Sequence, residues 1–135
     1  MTANSYTDLK NRREDILQEL GEFRKIKDKE GWERGLDILK EKILERLDSN
    51  TEITNKSDEI LEEIKEDVNI GNRLSLAVAT IYISHFLEGE PITMKEMREA
   101  IGISEVTIRK TLPDVFEALD EKTRKTFEEN RMKYN

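Results

Sequence analysis

The chain contains no cysteine. That excludes a disulfide framework, a thiolate metal site and a cysteine nucleophile. A single histidine, His85, excludes a histidine-rich metal cluster and a Glu-x-x-His pair. Proline occurs twice and glycine six times in 135 residues, and few stretches alternate as strands do, which argues against a turn-rich β fold. No apolar run is long enough for a membrane span, and Met1 to Lys10 is polar, without a signal-peptide core. No membrane contact is therefore expected, and the default compartment is the cytoplasm. There is no glycine-rich phosphate loop, no Ser-His-Asp set and no metal-ligand spacing. No pair of carboxylates stands out among so many, so neither enzymatic activity nor a cofactor is expected.

What is abundant is charge. Charged residues make up 39% and hydrophobic ones 36%, with the apolar residues clustered at helical spacing, which argues for a folded all-α chain. At 15.8 kDa the size suits one domain. The formal net charge of -7 argues against coating nucleic acid by bulk charge, though not against a local basic surface. The excess is uneven: residues 1–70 carry 13 basic and 19 acidic side chains, residues 71–135 carry 10 and 11. The N-terminal half is the poorer candidate for phosphate contact.

Along the chain, Leu9, Ile16, Leu20, Phe23 and Ile26 fall on one stripe of a helix expected from about Thr7 to Lys29, broken at Gly31. Leu9, Ile16 and Phe23 repeat every seven residues, a seam that can dock on its own domain or pair with a second copy as a homodimer. Burial within its own domain is the expected use. A second helix is expected over Trp32 to Leu47, with Leu36, Leu39, Ile43 and Leu47 as its seam and Trp32 as a packing anchor. Asp48-Ser49-Asn50 reads as a turn, and a third helix is expected to start at Ser57, with Ile60, Leu61, Ile64 and Val68 inward. After Gly71 and Asn72 the chain is apolar on nearly every side from Leu74 to Leu87, as a helix surrounded by neighbours should be. His85 on that helix reads as a core histidine. Gly89 and Pro91 stop it. Thr93 and Glu96 form a capping box, with Ile92 and Met97 placed for a hydrophobic staple. A short helix ends at Ile101-Gly102. Ser104 caps another, whose inward stripe is Ile108, Leu112, Val115 and Leu119, and a charged helix follows from Glu121 to Lys133. The acidic pairs Glu62-Glu63 and Glu128-Glu129 read as solvated faces.

Two short helices separated by Gly102 meet the demands of a helix-turn-helix: Ile101 before the turn, Ile103 after it, and Ile108 anchoring the second helix. The outward stripe of that second helix is Glu105, Val106, Arg109, Lys110 and Pro113. In DNA-binding versions the N-terminal end of this helix meets base edges. Arg109 suits a guanine and Val106 a thymine methyl, while Ser104 with the helix N-terminus suits a phosphate. Two helices at a corner also occur in bundles that never touch DNA.

The stretch from Arg73 to Arg109 resembles the second cyclin repeat of transcription factor IIB, especially its archaeal form. The resemblance is carried by Ala79-Thr80-Ile81-Tyr82-Ile83-Ser84, Gly89-Glu90, Thr93 to Glu96, and Gly102-Ile103-Ser104-Glu105-Val106-Thr107-Ile108-Arg109. It implies a cyclin-like five-helix core, with residues 32–70 supplying the earlier helices. It also implies double-stranded DNA as partner, read by the last two helices, and a surface for a TATA-binding-protein-like or other transcription protein. Val106 and Arg109 become the base-reading residues, with Thr107 beside the backbone and Arg98 and Lys110 near phosphates. The chain departs from the family in three ways. Pro113 stands where the family has a second basic residue, and a proline there is expected to bend or restart the helix near Asp114. Without cysteine there is no zinc ribbon, and there is no first cyclin repeat.

The expected organisation is an N-terminal amphipathic helix over 1–30, a cyclin-like domain over 31–120 with its helix-turn-helix at about 92–119, and a C-terminal charged helix over 121–135. The expected function is DNA-binding transcription regulation, with nucleoid association following from it. The competing expectation is a cyclin-like protein-interaction module that does not bind DNA, favoured by the acidic balance and by Pro113.

Overall fold

A computed structural model describes residues 6–25, 28–66 and 72–134. Ile26, Val68 and Gly71 lie outside the described residues, as does the side chain of Phe23. The described residues form seven α-helices and no strand: α1 (Tyr6–Gln18), α2 (Lys29–Arg46), α3 (Thr51–Ile64), α4 (Arg73–Leu87), α5 (Met94–Ile101), α6 (Glu105–Ala118) and α7 (Glu121–Tyr134). Among the described residues one 3-10 segment, Gly21–Lys25, follows α1.

Polar residues set the helix starts. Asp28, Asn50, Asn72, Thr93, Ser104 and Asp120 each accept the backbone N–H three residues on, at 2.7 to 3.1 Å. Each such cap satisfies an amide that the helix itself leaves unpaired and contributes about 1 kcal/mol. Two expected boundaries move for this reason. The first helix ends at Gln18, and Gly21, at φ 53°, is the break. Gly31 lies inside α2, where its N–H donates to the capping Asp28. The third helix starts at Thr51 rather than Ser57: Asn50 closes the preceding turn and caps α3 in one step. Ser57 is fully buried mid-helix, its hydroxyl without a hydrogen-bond partner, and Ile53 joins the inward stripe.

Helix α4 is the pillar. Every residue from Leu74 to Phe86 is buried, and α2, α3, α6 and α7 pack around it. Its buried hydroxyls turn back on the helix: Thr80 donates to the Leu76 carbonyl and Ser84 to that of Thr80, both at 2.8 Å. His85 is buried as expected. Its Nδ1 lies 2.9 Å from the Glu90 carbonyl, which can only accept, so Nδ1 carries the proton and Nε2 accepts from the Ser49 hydroxyl at 3.0 Å. Burial pushes this imidazole below its usual value, against the bond to Glu90.

Helix α6 does not break at Pro113. It runs on to Ala118, because Leu112 and Val115 on either side are buried against the core while the proline ring faces outward. The missing proline N–H removes one rung, the one to the Arg109 carbonyl. Helix α7 docks through Phe127, whose ring centroid lies 5.6 Å from Phe86 and 6.0 Å from Phe116. Asn130 adds a bond from Nδ2 to the Phe86 carbonyl at 2.7 Å. The arrangement is the all-α, cyclin-like bundle expected: α2, α3 and α6 pack on α4, α5 lies against α2 and α6, and α1 and α7 are added at the two ends. No helix among the described residues is long and apolar enough to cross a membrane.

Candidate nucleic-acid interface

The corner between α5 and α6 is built from the sequence signals around it. Thr93 accepts the Glu96 N–H at 3.0 Å, and its own hydroxyl donates to the Glu96 carboxylate at 3.2 Å, so the capping box closes side chain to side chain. At the other end Gly102 adopts φ 84°, and its N–H donates to the Arg98 carbonyl at 2.7 Å. Ile101 and Ile103, flanking the glycine, are buried. Gly102 is required twice over. Its backbone conformation disfavours any Cβ, and a Cβ there would also collide with the Leu9 carbonyl oxygen and stand 2.9 Å from the Arg13 nitrogen. Helix α1 thus lies with its backbone flush against the turn. The Arg12 guanidinium donates to the Glu99 carbonyl at the end of α5. Of the heptad seam Ile16 is buried and Leu9 half-buried, and Leu20 of the same stripe is buried with them, so this part of α1 packs on its own domain.

Ser104 opens α6. Its hydroxyl accepts the Thr107 N–H at 3.1 Å and shares a hydrogen bond with the Thr107 hydroxyl at 2.8 Å. One hydroxyl proton of the pair is left for solvent. On the inward side Ile108, Leu112 and Val115 are at most 9% exposed. On the outward side Val106 is 55% exposed, one of only two large exposed hydrophobics among the described residues. Arg109, Lys110 and Pro113 are exposed beside it. The structure therefore puts Ser104, Val106, Arg109 and Lys110 on one face, with Thr107 half-buried in the cap. Arg98 is half-buried on α5, its Nε without a hydrogen-bond partner, and lines neither cavity that Arg109 lines. Lys122 lies elsewhere, in a depression shared with Lys56 and Glu59.

Sequence reasoning missed two cations. Lys95 of α5 and Arg131 of α7 line a cleft of about 420 Å3 together with Arg109, Glu105 and the Tyr82 ring. Arg131 stands one turn after the buried Phe127, and that spacing places both on one face of α7. A second cavity of about 390 Å3 adjoins the first. Its floor is Ile83, Met94, Leu112, Phe116 and Phe127, with Arg109, Arg131 and Glu128 at the rim.

The ion pairs are unevenly placed. Arg24, Lys29, Arg34, Lys40, Lys42, Arg46, Lys56 and Lys65, from the 3-10 segment through the end of α3, all pair with carboxylates. Among the described residues, Lys95, Arg98, Arg109, Lys110, Lys122, Arg124, Lys125 and Arg131 form no such pair. The local cations of α5 to α7 are therefore available to an outside anion although the chain as a whole is acidic. Burial pushes the Tyr82 hydroxyl up from its usual value, with Arg131 and Arg109 pulling the other way. Among the described residues no cluster of three or more His, Cys, Asp or Glu side chains is placed to hold a metal ion.

No family model and no solved structure matches the chain. Curated relatives do. The chain is 37% identical over 76 residues to the transcription initiation factor IIB of Methanopyrus kandleri, covering 55% of this chain and 25% of that protein. It is 37% identical over 76 residues to that of Methanosarcina mazei, 55% of this chain and 23% of the relative. With that of Caldivirga maquilingensis it shares 32% over 81 residues, 58% of this chain and 24% of the relative. The matched segments span about a quarter of the length of these relatives. Over about half of its own length, this chain is a protein like the transcription initiation factor IIB of archaea.

Proposed function

We propose that this chain is a DNA-binding transcription factor or regulator, reading duplex DNA through α5, the Gly102 turn and α6 acting as a helix-turn-helix. The observation that carries the reading is the outer face of α6. Val106, Arg109 and Lys110 stand in solvent near its N-terminal end, and neither cation has a carboxylate partner. Arg109 hydrogen-bonds a base edge in the major groove, and Val106 adds an apolar contact to a thymine methyl. Ser104 and the first amides of α6 hold a phosphate, Thr107 keeps Ser104 in place, and Lys110 and Arg98 lie near the backbone. A TATA-binding-protein-like or other transcription protein is the expected second partner, on the strength of the similarity to transcription initiation factor IIB.

The test is a gel shift against a pool of random duplexes, followed by salt titration on the selected sequence. Arg109→Ala is expected to cost about 1–3 kcal/mol of specific affinity and to relax the preference at one base pair. Specific binding that is unchanged in Arg109→Ala refutes this role for α6. The second reading is a protein-interaction module, and one observation favours it: the cavity beside Arg109 has an apolar floor that includes two phenylalanines. A chain that shifts no duplex at low salt leaves that reading standing.

A further inference from the structure

We infer that the cleft between α5, α6 and α7 is a phosphodiester site, in which the Tyr82 hydroxyl, Lys95 and Arg131 grip the DNA backbone beside the base edge met by Arg109. The inference rests on the reading of α6 given above and extends the contact surface to a helix outside the five-helix core.

Three observations carry it. First, the cations converge from three elements on one cleft of about 420 Å3, Lys95 from α5, Arg109 from α6 and Arg131 from α7. None of the three has a carboxylate partner among the described residues. Glu105 is the one acidic side chain lining the cleft, so the lining carries a local excess of two positive charges in an otherwise acidic chain. Second, Tyr82 is only 5% exposed, yet it lines this cleft and its hydroxyl makes no hydrogen bond among the described residues. A nearly buried phenol normally finds a partner, and here the open side is the cleft. Its ring is fixed by Phe86, at a centroid distance of 5.0 Å, so the hydroxyl is held in place before any ligand arrives. Third, α7 is anchored by Phe127 and Asn130, which sets the register of Arg131 opposite α6. A neutral O–H donor flanked by cations is the lining that a phosphate's oxygens match, with the hydroxyl giving direction and the cations giving charge.

The test is duplex binding by the full chain, followed by fluorescence anisotropy across a salt series, for the unsubstituted protein, Lys95→Gln, Arg131→Gln and Tyr82→Phe. Circular dichroism melts confirm folding, and Tyr82→Phe keeps the ring packing. Arg131→Gln and Lys95→Gln are each expected to weaken binding about tenfold, equally on selected and unselected duplexes. Each is also expected to flatten the slope of log affinity against log salt by about 0.9, one phosphate fewer being neutralised. Tyr82→Phe is expected to weaken binding roughly fivefold with the salt slope unchanged, since a lost neutral donor releases no counterion. Unchanged affinity in Arg131→Gln or in Tyr82→Phe overturns the phosphodiester site while leaving the reading of α6 intact. Failure of the unsubstituted protein to bind any duplex overturns both.

Discussion

Gly102 offers a comparison with an internal control. Both Gly102 and Gly21 adopt left-handed backbone angles, at φ 84° and 53°. Alanine at either position carries the same conformational strain, about 1–2 kcal/mol. The surroundings differ. Among the described residues nothing lies within 4 Å of a Cβ built on Gly21, whereas a Cβ on Gly102 meets the Leu9 carbonyl oxygen and, at 2.9 Å, the Arg13 nitrogen. These are backbone atoms of α1 and cannot swing aside as a side chain can. Helix α1 must retreat, and the burial of Ile16 and Leu20 weakens with it. Each such side chain contributes about 1.5–3 kcal/mol when fully buried. Gly21→Ala is thus expected to cost about 1–2 kcal/mol, and Gly102→Ala about 4 kcal/mol or more, the strain plus a large part of the α1 contact. Urea unfolding followed by circular dichroism reads both as midpoint shifts, with the slope reporting whether α1 still folds with the rest. Equal costs for the two substitutions would mean that α1 does not rest on the α5–α6 corner.

Further outcomes are expected elsewhere. The buried neutral His85 has its pKa depressed, so the unfolded chain takes up the proton first as pH falls below about 6.5. The stability it contributes is complete above that pH and declines below it, toward the folded value. Thermal melts across pH 7 to about 5 check this, and His85→Asn should fall off less steeply than the unsubstituted protein. Phe127→Ala removes the ring that docks α7 and is expected to cost about 3–5 kcal/mol in chemical denaturation. Asn50→Ala is expected to cost about 1 kcal/mol through the lost cap of α3. Ser57→Ala should be neutral or slightly stabilising, because it removes a buried hydroxyl that has no partner. The reverse order for that pair would place the start of α3 at Ser57 after all.

The parts of the fold that could be read in advance are those whose cause is local. Helix α4 is apolar on nearly every side from Leu74 to Phe86, and a central position explains that pattern. The α5–α6 corner was legible because Thr93, Gly102 and Ser104 each do at short range what their types do in isolated helices. The misplaced starts share one origin. Asn50 and Asp28 are short polar residues that serve equally well in a turn and as a helix cap, and the sequence alone does not say which. Pro113 failed as a breaker because burial of Leu112 and Val115 outweighs the single lost rung. The candidate site divides the same way. Val106, Arg109 and Lys110 follow from the outward stripe of one helix. Tyr82, Lys95 and Arg131 come together only when α4, α5 and α7 are packed, and no spacing along the chain encodes that meeting.

The partition of ion pairs has a consequence for how a polyanion approaches. At low salt, where the screening length reaches about 30 Å at 0.01 M, the net charge of -7 repels it at a distance, whichever way the molecule is turned. Close in, the face made by the last three helices offers attraction, whereas the cations of α2 and α3 are held by their own carboxylates. Docking is therefore face-selective and starts against an uphill field. Ions added to nearly salt-free solution should speed the first encounter, even as they loosen the grip once contact is made.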